Sequence, residues 1–277
     1  MGKTSRYFQA FLAIVFLALL IYNLAPFFWM ISSSLKTDFE VKQYPPTILP
    51  TEPTIGAYYR IWWQESFVSY FLNSLIVSLS TAVLSTLVGS LAGYGFSRYE
   101  FPGRIPLMTV FLGSQLLPGV LLVGPYFKML SATGLYDTRI GLIIAQTTIT
   151  LPFSIWMLKG FIDSVPVEID QQALVDGANR WGAFVRVVLP NIAPGMVATI
   201  IFAFLLAWGD LLWALVIIST KSLQTVTLGV TQLVGQFRVQ WSEIMAASVI
   251  ASVPPVVLYL ILQKYLIKGF TAGAVKE

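Results

Sequence analysis

The 277-residue chain contains no cysteine and no histidine. The first absence removes disulfides and thiol catalysis; together they remove the usual ligands of a zinc site. Without histidine, no side chain has an ordinary pKa suited to carrying protons near neutral pH. Charge is also scarce. Asp, Glu, Lys and Arg make up 11% of the residues, against about 25% in a typical soluble domain. Apolar residues make up 56%, and mean hydropathy is +0.76. Such a composition cannot cover a water-facing surface, so the bilayer is the main solvent. The net charge of +4 is dispersed between apolar runs and forms no nucleic-acid footprint.

A membrane-crossing helix needs about 20 mostly apolar residues. Six stretches qualify, near 8–32, 70–97, 105–130, 139–161, 192–218 and 245–267. The first follows Lys3 and Arg6 but exceeds the roughly 7–15-residue core of a signal peptide and ends in no small-x-small cleavage site, so it reads as an uncleaved span. Trp and Tyr near the span ends (Tyr58, Tyr59, Trp62, Trp63, Tyr70, Trp241) fit interfacial belts. An even number of crossings places both termini on one side. With the termini inside, the segments 1–7, 98–104, 159–191 and 264–277 hold ten of the 17 Lys and Arg residues, the sense of the positive-inside rule. The expected organisation is a first span with its external loop (1–69), a membrane core (70–267) and a cytoplasmic tail (268–277).

The first external loop, 33–69, carries Pro45, Pro46, Pro50 and Pro53 and should be extended and irregular. The second stretch is dense in small residues, among them Ser78, Thr81, Ser85, Gly89 and Gly93; they serve close helix packing or line a pore. The fourth and fifth stretches are joined by a long half-polar segment, 162–191. In it Pro166 suits a helix start, and Glu168 and Asp170 suit the positive end of the helix dipole. That helix should stop at Asp176-Gly177, where glycine can take a left-handed cap. A second amphipathic piece, Trp181 to Leu189, leads to Pro190. Two short helices about a glycine turn make a knob, with Ala173, Leu174 and Ala178 as a small apolar surface. An ordinary hairpin lying on the membrane surface has the same pattern.

The segment resembles the coupling ("EAA") motif of ABC importer permeases, with Gln171-Gln172-Ala173, then Gly177, then Leu189-Pro190 at the matching positions. It departs from the family in carrying Gln171 for glutamate and Gln172 for the first alanine. Further strings resemble the carbohydrate branch: Ser34-Leu-Lys-Thr37, Asn73-Ser-Leu-Ile-Val77, Arg98-Tyr-Glu-Phe-Pro-Gly-Arg104, and Gln115-x-x-Pro118 with Pro125-Tyr126. The tail Lys268 to Lys276 resembles that of the smaller permease of the maltose-transporter type. The resemblance implies an all-α polytopic fold of six transmembrane helices with a cytoplasmic coupling-helix loop. It also implies a non-catalytic permease that forms half of the translocation pathway for a sugar. The implied partners are a second homologous permease, two copies of a cytoplasmic ATPase, and an extracytoplasmic sugar-binding protein. No cofactor is expected on this chain; ATP and Mg belong to the ATPase. Gly2-Lys3-Thr4 lacks the upstream glycine loop and strand of a Walker A site. The coupling candidates are Asp170, Gln171, Gln172, Ala173, Leu174, Asp176, Gly177, Ala178, Leu189 and Pro190.

Asp210 is the one acid deep in an apolar run, within Trp208-Gly-Asp-Leu-Leu-Trp213, and an intramembrane carboxylate is a functional candidate. Counted from Ile192 at 1.5 Å per residue it lies about 27 Å along its helix, near the outer interface, so pathway or gate residue and interfacial anchor both stand for Asp210 and for Trp208 and Trp213 beside it. Asn73, Gln115, Gln146 and Thr150 offer neutral hydrogen bonds to a sugar, and Tyr126 and Trp156 offer ring faces; the alternative role of the polar groups is bonding between helices. A proton-coupled secondary transporter would need intramembrane acids or histidines, and a membrane enzyme would need a matched catalytic constellation. One acid near the outer interface and no histidine argue against proton coupling, and the acids of the 162–191 segment have no histidine or matched partner to make a catalytic site.

Overall fold

The computed structural model describes residues 6–63, 66–234 and 239–274, with side chains from Tyr7 to Lys264 in those ranges. Gly2-Lys3-Thr4 and the side chains of the 268–276 string lie outside the described residues. The described residues are nearly all helical, without a strand. Four helices are long and apolar enough to cross a membrane: α1 (Arg6–Ser34), α4 (Phe67–Arg98), α7 (Arg139–Asp163) and α14 (Trp241–Ala274). Two bent pairs bring the number of crossings to six if each counts as one. The first is α5 (Arg104–Ser114) with α6 (Gly119–Ala132), bent by 100°. The second is Arg180–Asn191 with α11 (Ala193–Trp208), bent by 77°.

Two of the expected stretches are therefore not continuous helices. The stretch 105–130 breaks at Gln115 to Pro118, because Pro118 cannot continue a helix and Gly113 weakens the turn before it. The stretch 192–218 breaks at Gly209 to Leu211, between α11 and α12 (Leu212–Ile217). Hydropathy averages across both breaks.

The chain divides into two compact units. One comprises residues 1–68 and 229–253. Every described side chain from Tyr7 to Trp29 on α1 is exposed, as suits a helix apolar on all sides. The loop after α1 is more ordered than its prolines suggest: it holds α2 (Asp38–Val41) and α3 (Gly56–Trp63). Polar side chains organise it. The Glu40 carboxylate accepts from the Thr47 hydroxyl (2.9 Å) and from the Thr51 amide (2.8 Å) and hydroxyl (2.9 Å). Buried Lys36 donates to the Thr47 carbonyl and covers the Trp29 ring at 4.7 Å. In the same unit Arg60 pairs with Glu243 at 2.5 Å, and the Ser242 hydroxyl donates to Asp38 at 2.8 Å.

The other unit comprises residues 69–228 and 254–277. Its centre is the seam between α4 and α7. A Cβ on Gly89 would stand 3.1 Å from the Ser154 Cβ, and one on Gly93 would stand 3.0 Å from the Lys159 backbone nitrogen. Ser85 and Thr150 share a hydrogen bond of 2.6 Å across the same seam. The small residues of α4 thus let two helices touch. A buried cluster of Val77, Leu130, Leu142, Trp213, Ala214 and Ile217 closes one end of this unit. A second cluster of Leu158, Ile162, Val165, Phe184, Val188 and Ile192 closes the other.

Candidate functional site: the loop knob and the polar spans

The segment after α7 forms the knob. Helix α8 (Val167–Val175) starts after Pro166, which sits in extended geometry, and carries Glu168 and Asp170 in its first turn. It ends in a left-handed glycine, Gly177, with φ +86°. The Ala178 amide bonds to the Ala173 carbonyl (3.0 Å) and the Gly177 amide to the Leu174 carbonyl (3.1 Å). Those two bonds make a complete Schellman cap. Asn179 then caps α9 (Arg180–Ala183) through the Gly182 amide at 2.7 Å. The chain widens into a π turn over Phe184–Val188 just before Pro190, because Pro190 has no amide to give the preceding turn and its ring crowds a carbonyl there. A three-residue helix, α10 (Leu189–Asn191), then bends into α11.

The knob has an inner and an outer face. Gln171, Gln172, Leu174, Asp176 and Gly177 are exposed, and Ala173 and Ala178 are half-buried. Glu168, Gln171, Gln172, Val175 and Asp176 line one open groove. The apolar surface is larger than the sequence reading made it: Val175 is 87% exposed and Trp181 62%. An apolar side chain beside the Asp-Gly stop, at the tip of the knob, was the available signal for Val175. Three candidates belong to the inner side or to the bend. Leu189 packs against the cluster around Phe184, Pro190 shapes the bend, and Asp170 is buried and pairs with Arg98 at 2.7 Å. Asp170 therefore faces its own chain, a partner relation that the sequence reading missed because Arg98 lies 72 residues away.

The polar residues of the spans divide in the same way. Asn73 is committed within the chain. Its amide donates to the Ser222 and Gln224 carbonyls (2.8 and 2.9 Å), and its oxygen accepts from Arg139 (2.8 Å). Thr150 bonds to Ser85. Gln146 donates to Asp210 at 3.1 Å, and weakly to the Ala207 carbonyl at 3.4 Å. Asp210 lies in the break between α11 and α12, where its carboxylate accepts the Ala214 amide (3.2 Å) and the more distant Trp213 amide (3.4 Å). Its main-chain oxygen takes the Thr227 hydroxyl at 2.5 Å. From the position just before the N-cap Leu211, the Asp210 side chain thus caps first-turn amides of α12 that would otherwise be bare in an apolar setting. Trp213 packs on Tyr126 (4.9 Å between rings) inside one core cluster, and Trp208 on Phe71 (5.8 Å) inside another. Of the nine pathway candidates, Gln115 and Trp156 keep open faces. Both side chains are exposed. The Gln115 amide donates to the Ile149 carbonyl at 2.8 Å, and Trp156 follows Ile149 by seven residues, two helical turns along the same side of α7.

The model of the family described as binding-protein-dependent transport system inner membrane component matches residues 4–271. The chain belongs to that family. It is an inner-membrane transport permease component. It is 37% identical over 259 residues to an inner membrane ABC transporter permease protein, YcjP, of Escherichia coli, covering 93% of this chain and 92% of the relative. It is 35% identical over 257 residues to the trehalose transport system permease protein SugB of Mycobacterium tuberculosis (92% and 93% covered). Identity is 32% over 256 residues to the trehalose/maltose transport system permease protein MalG of Thermococcus litoralis (91% of each chain). In fold it is similar to a chain from the crystal structure of a bacterial ABC transporter that imports the acidic polysaccharide alginate. That match has a TM-score of 0.84 at 19% identity, over 96% of this chain and 100% of the other.

Proposed function

We propose that this chain is one of two permease subunits of an ATP-driven importer of di- or short oligosaccharides or related glycosides. In this reading an external binding protein delivers the sugar and two copies of a cytoplasmic ATPase drive uptake. The ATPase binds ATP and Mg; this chain hydrolyses nothing and docks an ATPase copy through the 162–191 knob, with both termini cytoplasmic. The observation that carries the reading is the knob itself. It is a capped two-helix projection that turns Gln171, Gln172, Leu174 and Val175 outward while a buried cluster holds it to its own spans. An apolar tip rimmed by Glu168 and Asp176 suits a groove with apolar walls and basic or amide groups. The names of the relatives support the substrate class: they are described as transporting trehalose, trehalose or maltose, and, for a Streptomyces coelicolor permease at 32% identity, diacetylchitobiose.

On the pathway side, the non-helical backbone from Gln115 to Pro118 supports a water-facing role. Helix α5 has 11 residues and at 1.5 Å per residue climbs about 16 Å, so the break falls near mid-bilayer. Leu116 and Leu117 beside it are 85% and 52% exposed. Irregular backbone at that depth is tolerated where it lines an aqueous cavity or is covered by protein. Gln115 and Trp156 then supply a neutral amide and a ring face, the groups that recognise sugars.

Reconstitution with the second permease, the ATPase and the binding protein tests the reading. ATP hydrolysis should rise when the binding protein is charged with trehalose, maltose or diacetylchitobiose, and labelled sugar should accumulate in the vesicles. Accumulation by the purified chain alone, down a gradient, would refute it. Cysteines introduced at positions 3 and 276 of this cysteine-free chain should label only from the cytoplasmic side.

A further inference from the structure

The last turn of α4 is bonded to two other segments at once. Ser97 donates to Asp163 at the end of α7 (2.6 Å), and Lys159 holds the same carboxylate at 2.5 Å. Arg98 reaches further. Its Nε donates to the Asp170 carboxylate (2.7 Å) and its Nη2 to the Val165 carbonyl (2.8 Å). Both charged side chains are 7% exposed. Val165 precedes α8 and Asp170 lies in its first turn, so one planar guanidinium fixes both where α8 begins and how it is rotated. Lysine, a point charge on a flexible stem, cannot hold two such acceptors in one plane. Arg180 covers the Tyr99 ring at 5.0 Å just beyond this turn, which adds a contact to α9. At the far end of α4, Asn73 is bonded to the 222–224 segment. Asn73 and Arg98 are 25 residues apart on one unbroken helix, about 38 Å.

We propose that Arg98 and Asp170 are positioning residues for coupling: they lock α8 to α4, so that displacement of the knob by the ATPase moves α4 as a rod. The proposal rests on the reading of the knob as the ATPase dock. The outer face of α8 makes the dock, the inner pair transmits, and the two roles are separable by mutation.

Removing one partner strands a buried charge, so a single neutral variant confounds transmission with misfolding. The test is the double variant Arg98→Gln/Asp170→Asn in the reconstituted complex, with Arg98→Lys and Gly177→Val alongside. Three quantities are read: ATPase co-purification, hydrolysis stimulated by trehalose- or maltose-loaded binding protein, and sugar accumulated per ATP hydrolysed. The double variant should retain co-purification while sugar per ATP falls at least tenfold, and Arg98→Lys should lie between it and wild type. Wild-type sugar per ATP in the double variant would mean that the pair only neutralises buried charge, and would overturn the proposal. Lost co-purification in the double variant would overturn it too, because the pair would then shape the dock. If Gly177→Val is defective and the double variant normal, the role of the pair alone falls. If Gly177→Val is itself wild type in all three, the docking reading falls and takes the pair with it.

Discussion

The Gln146 amide donates to the Asp210 carboxylate at 3.1 Å, joining α7 to the break that precedes α12. With the Ala214 amide on the same oxygen, the acid has partners inside its own chain. Asparagine is as good a helix cap as aspartate, and its side-chain oxygen can keep accepting from Gln146. Asp210→Asn should therefore keep complex yield and uptake near wild type. Asp210→Ala should lose about 1 kcal/mol of capping and leave Gln146 short of an acceptor at a further cost of about 1–3 kcal/mol, seen as reduced yield of assembled complex. A selective loss of uptake in Asp210→Asn, with normal assembly, would return this residue to the pathway.

The α4–α7 seam gives a paired test. A Cβ on Gly93 meets the Lys159 backbone nitrogen at 3.0 Å, whereas one on Gly95 meets nothing within 4 Å. Gly93→Leu must push the helices apart, an overpacking cost of about 1–3 kcal/mol, and should lower thermal stability in detergent. Gly95→Ala should be neutral or slightly stabilising, since alanine favours the helix. Equal behaviour of the two variants would remove the packing role assigned to Gly93.

Asp137 clips the turn before α7 to residues 219–220. Its carboxylate accepts the Thr220 hydroxyl (2.6 Å) and amide (2.9 Å) and the Ser219 amide (2.8 Å). These bonds, the Thr220 hydroxyl foremost, hold its pKa below the ordinary 3.8. A carboxylate whose folded pKa is depressed contributes stability that is complete above the unfolded pKa and lost as pH falls through the folded value. The stability difference between wild type and Asp137→Asn should therefore be constant from pH 7 to about 5 and shrink below 3.8. A difference that stays flat to pH 3 would show that the charge is not what holds the clip.

How far these features could be read from the sequence depended on where each partner lies. The stop of α8 was legible because Pro166, the acidic first turn and Gly177 are local signals within a dozen residues. The crossings were legible because twenty apolar residues leave little alternative. The breaks at 115–118 and 209–211 were hidden because flanking leucines and valines keep the hydropathy high across them. The roles of Asn73, Gln146 and Asp170 were hidden for a different reason. Their partners are 149–151, 64 and 72 residues away, and a polar side chain in a span looks the same whether it meets a sugar or another helix. In the 33–69 loop, the prolines suggested an irregular chain, while Glu40, Thr47 and Thr51 were the residues that ordered it.

Gly177 offers the sharpest test of the knob. At φ +86° a side chain is strained, although a Cβ there would meet nothing within 4 Å. Any defect is then conformational or lies at the partner's surface, not a clash within this chain. Asparagine visits the left-handed region more readily than other residues with a side chain, alanine less so, and β-branched valine least. A left-handed alanine costs about 1–2 kcal/mol that glycine does not. The loss of function should follow that order: Gly177→Asn mildest, Gly177→Ala intermediate, Gly177→Val most severe. The crossings should insert normally in all three, because the proposed docking role places residue 177 outside the hydrocarbon. In the valine variant the Ala178-to-Ala173 and Gly177-to-Leu174 bonds cannot form without strain. The end of α8 should fray, and the exposed Leu174 and Val175 should lose their fixed presentation. ATPase co-purification and sugar uptake should fall together. Wild-type values of both in Gly177→Val would show that the ATPase does not read this end of the knob, and that the docking surface lies elsewhere on the cytoplasmic side.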